Sequence, residues 1–108
     1  MVGKLFKVVF SRKSQKQLKE ISDYVAKNAS LTQARKVRRA IKKAGDDLKH
    51  LPESRPILPG TEDLPKNIRY TKKWSYKIIF RVLKSISIVR ILTIRHDKED
   101  PDDILKGL

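Results

Sequence analysis

Between Trp74 and Asp97 the chain carries two apolar, β-branched runs back to back. Tyr76-Lys77-Ile78-Ile79-Phe80-Arg81-Val82 is followed by Ile86 to Ile94, with a joint at Leu83-Lys84-Ser85. Such runs around a short joint specify a β-hairpin. Alternation along the first run puts Tyr76, Ile78, Phe80 and Val82 on one face, and Lys77, Ile79 and Arg81 on the other. The apolar face must be buried, so the rest of the chain has to supply a covering layer.

Two helical patterns can supply it. From about Ser14 to Asn28, Leu18, Ile21, Tyr24 and Val25 recur at helical spacing, and Ser11-Arg12-Lys13-Ser14 offers a cap. From about Leu31 to Leu51 the stripe is Ala34, Val37, Ile41, Ala44, Leu48 and Leu51, with Arg35, Arg38, Arg39, Lys42 and Lys43 opposite. Gly45 interrupts this second pattern and marks close packing or an early end. The short break at Asn28-Ala29-Ser30 makes the pair an antiparallel hairpin.

Leu5 to Phe10 reads as a strand, Ile68 to Thr71 as a short one, and Pro101 to Leu105 as a helical turn capped by Asp100. Residues 52–67 hold four prolines and Gly60, and read as a long loop of the kind that is functional or mobile. The expected fold is α+β in the order β-α-α-β-β-β. It is a single domain over residues 1–108, with a two-helix hairpin on one face of a mostly antiparallel four-stranded sheet. The opposite face, with Lys77 and Arg81, is expected to stay open to water or a partner.

Charge decides the class of partner. The 108 residues carry 26 Lys and Arg against 12 Asp and Glu, a net charge of +14. Residues 97–108 hold five acids against two bases, net −3, which leaves 24 bases and seven acids, net +17, for residues 1–96. A surface of that sign attracts nucleic acid or an acidic protein. With no cysteine, disulfides and Cys-ligated zinc are excluded. Met-Val-Gly-Lys opens no apolar leader, and charges break every long apolar run, so no signal peptide, no membrane span and a cytoplasmic location are expected.

Tyr76-Lys77-Ile78-Ile79-Phe80-Arg81-Val82 resembles the Tyr-Arg-hydrophobic-hydrophobic-Tyr-Arg-Val strand of the RelE/ParE toxin superfamily. Pro56, Leu64-Pro65 and Ile68-Arg69 resemble the loop that precedes it, and Val8-Val9-Phe10-Ser11 with Leu18, Ile21 and Tyr24 resembles the opening strand and helix. His96, Asp100-Pro101 and Ile104-Leu105 are similar to the tail of the ParE branch. The resemblance implies the toxin of a type II toxin–antitoxin (plasmid stabilisation) pair, held as a hetero-oligomer by an acidic antitoxin. In the ParE branch the target is DNA gyrase. In the RelE branch it is ribosome-bound mRNA, which the toxin cuts. A non-toxic basic nucleic-acid-binding domain is the remaining alternative.

RNA cleavage without a metal or other cofactor needs a base, an acid and cations on the phosphate. His96, Lys77 and Arg81 are the candidates for those roles if the chain is a nuclease. Lys77 stands where the RelE-like strand has a phosphate-binding Arg, and keeps its charge without the bidentate fork. Lys72, Lys73, Lys77, Arg81 and Arg95 are the candidate nucleic-acid contacts, with Tyr70 and Trp74 able to stack on a base. His96 is equally readable as a strand-end residue partnered by Asp97, and His50 as a cation at a helix C-terminus. RelE-type nucleases carry a late Tyr beyond the last strand, whereas Asp97 to Leu108 has none and is acidic.

Overall fold

Ser11 turns the chain from strand into helix. β1 (Lys7–Phe10) stops there, and Ser11 takes extended backbone angles as the N-cap of α1 (Arg12–Asn28). Its Oγ accepts from the Ser14 N–H at 3.1 Å and donates to the Leu92 carbonyl at 3.0 Å. One hydroxyl therefore caps a helix and fastens it to a strand far along the chain. Ser30 caps α2 (Leu31–Asp46) in the same way, accepting from the Gln33 N–H at 3.0 Å. The computed structural model describes residues 5–106 and Leu108.

Three further strands follow, β2 (Ile68–Lys73), β3 (Tyr76–Leu83) and β4 (Ile88–His96), and then the short α3 (Pro101–Lys106). The sheet order is β1-β4-β3-β2. β2 and β4 run antiparallel to β3, while β1 pairs parallel with β4, from Lys7 opposite Ile88 to Phe10 opposite Ile91. The sheet is thus mostly antiparallel, as the pattern predicts. The β3–β4 register slips by one, since Ile79 faces Thr93 but Phe80 faces Ile91. Leu92 is the extra residue, and its carbonyl is the one Ser11 takes.

The main core lies between helices and sheet. Leu18, Val37, Ile41 and Leu48 meet Ile78, Phe80, Val82, Val89, Ile91 and Ile94. Several limits differ from the sequence reading for local reasons. α2 ends at Asp46, and a turn of 3-10 helix at Asp47–Lys49 carries Leu48 into the core. Gly45 packs against Phe10, where an added Cβ would stand 2.6 Å from the ring's Cζ. Leu51, past that end and at φ 45°, leaves the stripe and is exposed. Tyr24 is 67% exposed. It lies about 120° round α1 from Leu18, at the margin of the apolar stripe. The joint between β3 and β4 is a 3-10 turn at Lys84–Ile86, closed by Ser87 at φ 54°.

The expectation of an open second face is corrected. Leu58 from the proline-rich segment and Ile104 from α3 close over Ile68 and Ile79, with Tyr70 and Leu105 at the margin. Ile79 is fully buried there. The segment is held by backbone pairing to β2: the Leu58 N–H reaches the Ile68 carbonyl at 2.9 Å, and the Tyr70 N–H reaches Pro56 at 3.2 Å. Arg69 adds bonds to the Arg55 carbonyl (2.6 Å) and to Asn67 Oδ1 (2.8 Å), and the Asn67 amide donates to Glu53 (3.0 Å). Apolar positions on both faces of β3, with Ile68 of β2 beside Ile79, are the physical reason: burial of Ile68 and Ile79 requires a second cover.

Candidate functional site at the hairpin end of the sheet

Strand register gathers most of the candidate residues at one end of the sheet. Lys72 lies opposite Lys77, and Lys77 opposite Arg95, so three cations form a row across β2, β3 and β4. The neighbouring row is Lys73, Tyr76 and His96, and Trp74-Ser75 closes the β2–β3 turn beyond it. Arg81 is not part of this group. It faces Ile68 and Arg90, and four residues of strand put it about 13 Å from Lys77.

Alternation along β3 points Tyr76 and Lys77 to opposite faces. Tyr76 packs on the main core, and the His96 ring stands edge-on to it, centroids 5.7 Å apart at 78°. Lys77 lies on the other face beside Leu58, Pro59, Ile104 and Leu105, with its ammonium 5.2 Å from the Tyr70 ring centroid. The sheet itself therefore separates His96 from Lys77. His96 Nδ1 accepts from the Lys98 N–H at 3.1 Å and lies 3.5 Å from Asp97 Oδ1. With that nitrogen accepting, the neutral ring carries its proton on Nε2. His50, the other histidine, ends the 3-10 turn, is exposed and lies outside this group.

The acidic tail answers part of the basic row. Lys72 Nζ is 3.8 Å from Asp97, and Arg95 Nη1 donates to Glu99 at 3.1 Å. Arg81 Nε donates to the Lys66 carbonyl at 3.1 Å, and Lys73 Nζ sits 5.1 Å from the Trp74 ring centroid. Of the five candidate nucleic-acid contacts, two thus face carboxylates, and the exposed Lys72 pair is a weak one.

A cleft of about 420 Å³ opens between α1 and the end of β4, which the sequence reading missed. Tyr24, Tyr76, His96, Arg95, Glu20 and Glu99 line it. Its wall is wired from helix to tail. Gln17 Oε1 accepts from Thr93 Oγ1 (2.9 Å) and the Ile94 N–H (2.8 Å), Arg95 Nε donates to Thr93 Oγ1 (3.1 Å), and Arg95 reaches Glu99. Burial first, and the neighbouring Tyr24 second, raise the Tyr76 phenol above its ordinary 10.0. The marginal angle of Tyr24 on the α1 stripe is the sequence feature that bears on this cleft.

A family profile described as "ParE toxin of type II toxin-antitoxin system, parDE" matches residues 8–101. No curated protein matches the chain. Among solved structures, a chain of the chromosomal ParDE toxin–antitoxin system of P. aeruginosa is similar, with TM-score 0.70 and 19% identity over 87% of this chain and 98% of that one. A chain of the toxin–antitoxin complex RelBE2 of Mycobacterium tuberculosis follows at TM-score 0.63 and 15% identity, covering 85% and 98%. A mutant of the E. coli toxin RelE in the free state also reaches TM-score 0.63 at 15% identity, covering 95% and 93%. At these identities the structural likeness speaks to the fold. No described helix is long and apolar enough to cross a membrane.

Proposed function

We propose that this chain, which belongs to the ParE toxin family of type II toxin–antitoxin systems, stops bacterial growth by binding DNA gyrase and not by cutting RNA. What supports the reading is the placement of the nuclease candidates: Lys77 and His96 lie on opposite faces of the sheet, and Arg81 is a further stretch of strand away. A base, an acid and the phosphate cations must converge on one scissile bond, and these three do not. The acidic tail beside Lys72 and Arg95 works against a bound phosphate in the same place.

The action is cytoplasmic in this reading, and an acidic antitoxin holds the toxin inactive. A groove of about 530 Å³ beside β1 offers a seat for it, with Val8, Phe10 and Leu18 in the floor and Lys7, Arg38 and Lys42 as cations. A segment alternating apolar and acidic residues fits that chemistry. The deciding experiment adds purified toxin to gyrase supercoiling and to cell-free translation in parallel. Loss of supercoiling with translation intact is expected. Intact supercoiling together with cut ribosomal mRNA would return the nuclease reading, which the large basic surface favours.

A further inference from the structure

Trp74 occupies a backbone position that its side chain does not favour. It sits first in the two-residue turn between Lys73 and Tyr76, at φ 53°. Positive φ suits Gly or Asn, and a bulky residue there is an outlier held at a cost. The side chain does not recover that cost by burial, because Trp74 is 52% exposed. The turn itself is firmly set: the Asp97 N–H donates to the Ser75 carbonyl at 2.8 Å and ties the tip to the end of β4. A large ring is thus presented to solvent on a rigid apex. Lys73 Nζ stands over the ring, 5.1 Å from its centroid. Strand alternation puts Lys72 on the other side of the ribbon from Lys73.

We infer that this apex binds single-stranded nucleic acid, with Trp74 stacking on an unpaired base and Lys73 taking the flanking phosphate. The chemistry is an aromatic platform beside a cation, which accepts any base and needs no base-specific hydrogen bond. A protein partner fits less well. An aromatic anchor for protein is ringed by apolar contacts that exclude water, whereas the Trp74 ring is half-exposed with the Lys73 ammonium over it. The inference does not depend on gyrase as the target.

Trp74 is the sole tryptophan of the chain, so its fluorescence reports on this site alone. The probes are a short thymidine oligonucleotide, an abasic strand of equal length, a blunt duplex and poly-glutamate. The thymidine strand quenches the tryptophan emission; the abasic strand and the duplex bind through charge without quenching. With labelled thymidine strand, Trp74→Ala weakens binding about tenfold to a hundredfold, and Trp74→Phe recovers most of the loss. Trp74→Gly, which suits the turn, melts no lower than the parent yet binds as weakly as the Ala variant. Equal quenching by the abasic strand, or an affinity unmoved by Trp74→Ala, overturns the proposal. Quenching by poly-glutamate as strong as by thymidine overturns it in favour of an acidic protein partner.

Discussion

At the scale of single residues, the fold perturbs the titration of the Tyr76 phenol. Burial and Tyr24 raise it above 10.0, so the folded protein favours the neutral ring. A raised value contributes stability that is complete below pH about 10 and is lost as pH climbs through the folded value. Thermal melts of the parent and of Tyr76→Phe check this. The variant's melting temperature gains on the parent's above pH 10, while below it their difference is constant. A difference that stays flat through pH 11 would remove the assigned cause. His96 gives the residue scale its other lesson. Its chemistry made it a catalytic candidate, but its Nδ1 accepts from the Lys98 backbone and its ring packs on Tyr76. Lys77, its supposed colleague, is across the sheet, and only the β3–β4 register could reveal that.

At the scale of elements, the end of α2 is set by one contact. Gly45 lets the helix lie against Phe10 of β1, with no space for a Cβ. Gly45→Val is expected to lower stability by about 1–3 kcal/mol through overpacking, seen as a lower urea midpoint. Gly45→Ala costs less, since its better helix propensity, up to about 1 kcal/mol, offsets part of the strain. An unchanged midpoint for the valine variant would mean that Phe10 swings aside freely. Periodicity made both helices legible, because Leu18, Val37 and Ile41 mark a stripe that local spacing alone defines. The cover of the second face was not legible. Leu58 sits among prolines and Ile104 in a six-residue helix, and neither belongs to a repeating pattern. Their partners Ile68 and Ile79 are distant in sequence, so the contact exists only in three dimensions. The basic residues near the hairpin end were legible as a group in the sequence, whereas the separate place of Arg81 and the division between two faces required the register.

At the scale of the whole molecule, charge governs encounter. Residues 1–96 carry +17 and the last twelve −3, a field that would draw in an acidic antitoxin from a distance. Stopped-flow association with the antitoxin should slow steeply as salt rises, with dissociation changing much less. An association rate indifferent to salt would rule out steering. The topology carries a different consequence, for the order in which the chain is made. Among the described residues β1 pairs only with β4, and that pairing joins Lys7–Phe10 to Ile88–Ile91. The helical hairpin can form from neighbours as soon as it leaves the ribosome. β1 must instead wait for β4, with most of the described residues between them. β1 thus stays unpaired until β4 has emerged, and a nascent chain stalled before Ile88 would hold the helical hairpin beside an unpaired β1.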